Sequence, residues 1–196
     1  WWNDAPSDGN DKGTTTDENW AQTTIDKINN KINSDGPYHA ILGYSQGAAA
    51  CIVWDAFNRK GAGQPAYEIS KVLLFCGYLP ENHIGLMDVI DTNQPSDTRT
   101  LIFIGDQDTN FRELGLRIKD KFNNYLELID PNVGHSLPKK TDQTYNNVLE
   151  FIRESDLSDN TVYLYVSNGE FSSPYYRFYT DSSGNQELSP NNTLYL

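Results

Sequence analysis

Ser45, Asp108 and His135 have the side-chain types, and follow the chain order, of a nucleophile with its acid and base. A serine hydroxyl attacks only when a base removes its proton. An imidazole serves when a carboxylate fixes its tautomer and stabilises the imidazolium that forms. Ser45 lies in Gly43-Tyr44-Ser45-Gln46-Gly47, a G-x-S-x-G pentapeptide between the apolar run Ala40-Ile41-Leu42 and the small-residue run Ala48-Ala49-Ala50. Such a context describes a nucleophile elbow, a strained strand-to-helix turn. Gly43 and Gly47 are needed there because a Cβ on either side would strike neighbouring backbone. The blander reading is a serine that fills a tight turn, since the pentapeptide also recurs by chance.

Asp108 stands in Gly105-Asp106-Gln107-Asp108, just past an apolar strand, and His135 stands in Gly134-His135-Ser136-Leu137-Pro138 after the next one. Asp106 remains an alternative acid. Asp108 is preferred because three residues past the glycine it has more reach, although it could also cap a helix starting near Phe111. The other histidines fit less well: His39 precedes the elbow strand, at the opposite sheet edge, and His83 falls out of order ahead of Asp108. A loop histidine with ordinary partners is the dull reading of His135.

These residues need strand ends to hold them. The pattern predicts a first helix opened by a capping box at Thr15 and Glu18, carrying the stripe Ala21, Ile25, Ile28, Ile32, and stopped at Gly36-Pro37. Strands follow at about 38–43, 69–76, 100–104 and 125–129, with helices at 46–59, around 111–122 and around 145–152. The segment 77–98 holds two prolines and short apolar clusters, and is expected to be a long irregular connection. Its Tyr78, Leu79, Leu86 and Met87, with Tyr44, are candidate walls of a substrate pocket, or ordinary packing under a loop. Near-continuous apolar strands alternating with helices predict an α/β fold with a doubly wound parallel sheet. Past about residue 155 the rhythm breaks. Val162 to Val166 and Tyr175 to Tyr179 read as short antiparallel strands, so 1–154 is one domain and 155–196 a β-rich segment that begins a second module.

At 196 residues one such domain is comfortable. A net charge of −12, from 27 acidic and 15 basic residues, argues against nucleic acid or an anionic membrane as partner. No apolar run approaches the roughly 18 residues of a membrane span. Cys51 and Cys76 sit in apolar stretches, which suits buried thiols rather than a disulfide framework. The ends, Trp1-Trp2 and Thr193-Leu194-Tyr195-Leu196, read as cut from something longer.

Taken together, Trp1-Trp2, Tyr38 through Ala49, Leu74-Phe75-Cys76-Gly77-Tyr78-Leu79-Pro80, Gly105 through Asp108, and Gly134-His135 with Pro138 resemble the FSH family of small serine hydrolases within the α/β-hydrolase fold. The resemblance covers about residues 1–154. It implies Ser45 as nucleophile, Asp108 as acid and His135 as base, in the order that fold uses, with the backbone N–H of Gln46 in the oxyanion hole. It implies a small-molecule ester as substrate, or a thioester or acyl-transfer reaction in some members. No metal or organic cofactor and a cytoplasmic location belong to the same expectation. Tyr44 stands where that family usually has phenylalanine. The family's first strands and its His-Gly oxyanion loop would precede Trp1, which predicts an exposed apolar sheet edge and a weakened oxyanion hole. A reading of another class is a non-catalytic binding or structural protein, motivated by the aromatic, Asn/Ser/Gly-rich tail.

Overall fold

Four apolar runs become adjacent parallel strands: β1 (Ala40–Tyr44), β2 (Lys71–Phe75), β3 (Arg99–Gly105) and β4 (Tyr125–Asp130). The computed structural model describes residues 14–59, 61, 69–93, 95–142 and 144–153, with the backbone of strands at 163–167 and 193–195. Trp1 and Trp2 lie outside the described residues. Every residue of β1 and β2 is buried, as expected of strands covered on both faces.

Alternate side chains feed two cores. Ile41, Val72, Leu74, Ile102 and Ile104 pack with α1 (Gln22–Asp35), α2 (Gln46–Arg59) and α3 (Ile84–Thr92). Leu42, Tyr44, Leu73, Phe75, Leu101 and Phe103 pack with Val148 and Phe151 of α5 (Tyr145–Arg153). The period of two along each strand therefore sorts residues between helical layers on opposite faces, the doubly wound α/β arrangement. Each fully buried Leu, Ile or Phe in these layers contributes about 1.5–3 kcal/mol, before the entropy of ordering it.

Four local expectations are corrected. The capping box does not form: α1 has Ala21 at its N-cap, with no side-chain cap. Thr15 Oγ1 instead accepts from Asp17 N at 3.1 Å and Asp17 Oδ1 from Asn19 N at 2.9 Å, local turns that keep this stretch out of the helix. The irregular connection contains α3, whose Leu86, Val89 and Ile90 face the core at helical spacing. The helix expected at 111–122 is a single turn, α4 (Arg112–Gly115), and a 3-10 turn at Ile118–Lys121; Ile118 and Phe122 are buried, while Phe111 turns elsewhere. Finally, β5 (Tyr163–Ser167) pairs parallel with β1, and β6 (Thr193–Tyr195) parallel with β5, rather than antiparallel. The sheet order is β4-β3-β2-β1-β5-β6, so the β1 edge expected to lie bare carries a strand. Residues 175–179, the other expected strand, lie outside the described residues.

Candidate active site

β1 ends at Tyr44 and α2 begins at Gln46, leaving Ser45 alone in the turn between them at φ 54°. A left-handed serine costs on the order of 1–2 kcal/mol, and its neighbours hold it there. Ser45 N donates to Phe75 O at 2.9 Å, and Ser45 O accepts from Ala48 N at 3.0 Å, tying one side of the turn to β2 and the other to α2. The helix returns so close to the strand that a Cβ on Gly43 would stand 2.3 Å from Gly47 O. Only glycine fits. The result exposes Ser45 Oγ at the carboxyl edge of the sheet, beside the N-terminus of α2.

The next strands supply its partners. The loops after β3 and β4 are laced together by Asp106 N to Asp130 O at 2.8 Å and Gln107 N to Val133 O at 2.9 Å. They touch at Gly105, where a Cβ would be 2.1 Å from Gly134 O. This lacing brings His135 Nε2 to 3.0 Å from Ser45 Oγ and His135 Nδ1 to 2.5 Å from Asp108 Oδ2. Asp108 is 4 % exposed, and its Oδ1 accepts from Phe111 N at 3.1 Å, so one carboxylate both holds the imidazole and caps the turn that follows. Asp106, the alternative acid, pairs with Arg112 Nε at 2.6 Å on the surface. His39 lies just before β1 at the far edge, and His83 is buried at the start of α3 with its ring 6.1 Å from that of Trp20.

The sequence profile of the family described as Serine hydrolase (FSH1) matches residues 1–146. The chain belongs to this serine hydrolase family. The crystal structure of Zea mays acyl-protein thioesterase 2 superposes with a TM-score of 0.53 at 18 % identity, covering 78 % of this chain and 71 % of that one, which shows the α/β-hydrolase fold. No curated protein matches the sequence.

In this FSH hydrolase two aromatic rings flank the imidazole. The Tyr44 ring centroid lies 5.2 Å from that of His135, and the Tyr44 hydroxyl donates to His135 O at 2.8 Å. The Phe111 ring lies 4.6 Å from His135 and 5.5 Å from Tyr78. Neither type nor spacing marks Phe111 as a site residue; the signal available is its place three residues after Asp108, where the capped turn aims it back. Of the expected pocket residues, Tyr44 and Tyr78 join the His135 cluster. Leu86 is buried in the helical core and Met87 packs against it, because α3 turns that face inward, and Leu79, ahead of α3, is buried in the same core.

Gln46 opens α2, so its amide belongs to the first turn, where the helix dipole favours negative charge. Cys76, at the end of β2, has φ 47°. Burial pushes its thiol up to about 12, which leaves it a poor nucleophile. Cys76, Asp108 and His135 are also the grouping, among the described residues, that could hold a metal ion, with ligand atoms all within 4.8 Å of one another.

Proposed function

We propose that this hydrolase cleaves carboxylic esters of small molecules through an acyl-enzyme on Ser45. The observation that carries the reading is the continuous chain Ser45 Oγ, His135 Nε2, His135 Nδ1, Asp108 Oδ2, with links of 3.0 and 2.5 Å, built on a serine held at φ 54°. Ser45 Oγ attacks the carbonyl carbon as His135 Nε2 takes its proton, and Asp108 stabilises the imidazolium without itself being protonated. The oxyanion forms beside the Gln46 amide at the α2 N-terminus; a donor there is worth about 100- to 1000-fold in rate. His135 then protonates the leaving alcohol as the tetrahedral adduct collapses. A water, deprotonated by the same nitrogen, frees the acid and restores Ser45.

Tyr78 and Phe111 provide an apolar wall for the acyl group beside His135. A thioester meets the same machinery with a thiolate as leaving group, so the substrate class is acyl ester or thioester.

A fluorophosphonate probe tests the assignment, because it reacts with activated serines. The expected result is stoichiometric labelling located on Ser45, abolished in Ser45→Ala. Labelling that persists in Ser45→Ala, or none in the folded parent, overturns it. Turnover of matched p-nitrophenyl and thioester acyl substrates then separates the two leaving groups.

A further inference from the structure

The thiol of Cys76 lies against the triad and takes no part in the acyl transfer proposed above. Strand β2 delivers it to the sheet edge that also carries Ser45, and its Sγ approaches Ser136 O at 3.4 Å and Gly134 O at 3.8 Å, under the turn that bears His135. Its sulfur, a ring nitrogen of His135 and a carboxylate oxygen of Asp108 lie within 4.8 Å of one another. Four-coordinate zinc holds sulfur at about 2.3 Å and nitrogen or oxygen at about 2.0–2.2 Å, which puts ligand atoms roughly 3–4 Å apart. The three donors need shifts of only about an ångström to reach that arrangement. They come from three successive strand ends, two of them are buried, and the His135 side chain is 30 % exposed, leaving an approach from solvent. A thiolate, an imidazole and a carboxylate together select Zn2+ or Cd2+ over Mg2+ or Ca2+.

We propose that Cys76, His135 and Asp108 form a binding site for a soft divalent cation, and that filling it arrests the hydrolase by holding His135 in the wrong tautomer. The arrest half rests on the Ser45–His135–Asp108 reading; the binding half does not. Acyl transfer requires the imidazole proton on Nδ1, facing Asp108, and a lone pair on Nε2, facing Ser45. A cation on Nδ1 takes the lone pair at that atom, so the single ring proton resides on Nε2. The Cys76 thiol releases its proton to solvent as its sulfur binds, and Asp108 exchanges its hydrogen bond for the metal. Nothing is oxidised or reduced. With Nε2 protonated, the ring donates to Ser45 Oγ and no longer accepts its proton. Water takes the fourth position on the cation.

The test uses metal-stripped full chain, Cys76→Ala, and Cys76→Gly, the last chosen because glycine suits φ 47° and guards against a folding failure. Cd2+ titration is followed by thiolate-to-cadmium charge-transfer absorbance, and Zn2+ titration by the rate of fluorophosphonate labelling, each protein normalised to its own metal-free rate. The parent is expected to show the cadmium band at one equivalent and at least about tenfold slower labelling with Zn2+; both responses disappear in the variants, since losing a ligand weakens binding by more than the roughly 10- to 100-fold that losing an outer-shell partner of a ligand costs. Absence of the band in the parent, or equal zinc inhibition of parent and variants, overturns the proposal. A band without any labelling in metal-free parent keeps the cation site and rejects the hydrolytic reading on which the arrest depends.

Discussion

Replacing Gly105 by alanine strikes the contact that sets the distance between His135 and Ser45. The added Cβ would stand 2.1 Å from Gly134 O and 2.5 Å from Val133 O, both backbone atoms that cannot swing aside as a side chain would. Relief to an ordinary contact of 3.0 Å or more moves the β4 loop outward by about 1 Å, and His135 is the residue that follows Gly134. A misplacement of about 1 Å at a reacting group costs on the order of 100-fold, equivalent to about 2.7 kcal/mol of activation free energy. Overpacking at the same point lowers stability by about 1–3 kcal/mol, which leaves a folded protein. The measurements are the second-order rate of fluorophosphonate labelling and a thermal melt on the same preparation. The expected pair is a cooperative melt at modestly lower temperature with labelling slowed about 100-fold. A Gly105→Ala protein that folds and labels at the parent's rate refutes the argument that this backbone contact positions His135.

Asp108→Asn presents an amide where His135 Nδ1–H needs an acceptor, and labelling should slow by on the order of 10,000-fold; a fall of less than tenfold assigns the acid elsewhere. Tyr44→Phe removes only the hydroxyl that holds His135 O, so labelling should slow by about 2- to 10-fold, matching the 0.5–1.5 kcal/mol of one hydrogen bond, and an unchanged rate rejects that role. Ser45→Gly should be more stable than Ser45→Ala by about 1 kcal/mol in urea titrations because glycine accepts φ 54° freely; the reverse order contradicts strain at the elbow. Burial works to raise the carboxyl of Asp130, but hydrogen bonds from Thr144 Oγ1, Asn132 N and Thr144 N prevail and hold it below its ordinary 3.8. A depressed folded value means stability present above pH 3.8 and lost as pH falls through the folded value. Asp130→Asn should therefore be destabilised at pH 7 by about 1.5–3 kcal/mol, with the gap to the parent narrowing below pH 4; a constant gap contradicts the linkage.

What the amino-acid sequence discloses about this site is its order along the chain. Ser45, Asp108 and His135 each follow an apolar strand, and parallel strands present their carboxyl ends at one edge, so convergence follows from pattern alone. The apposition of Gly105 with Gly134 is invisible to pattern, because it depends on two loops from separate strands. The same limit hides α3, whose Leu86, Val89 and Ile90 are too short a stripe among prolines to announce a helix. Phe111 shares helical spacing with Ile118 and Phe122 yet faces His135, since the Asp108 cap turns the chain before the stripe can continue. Thr15 and Glu18 match a capping box in type and spacing, but Thr15 Oγ1 accepts from the Asp17 amide in a local turn and the helix starts only after Ala21. For β5, local turn residues suggest hairpins, whereas its partner is a strand far back in the chain.

That partner gives the molecule a long assembly clock. Ala40 of β1 is paired with Lys71 on one side and with Tyr163 on the other. During synthesis at about 5–20 residues per second, the β2 strand follows within a few seconds, while the β5 strand emerges only after roughly 6–25 seconds. Until then β5 cannot cover that row of β1 amides and carbonyls, and a strand edge left uncovered is where neighbouring nascent chains join. Slowing translation before residue 163 should therefore lower the soluble yield of this hydrolase more than slowing it after residue 167.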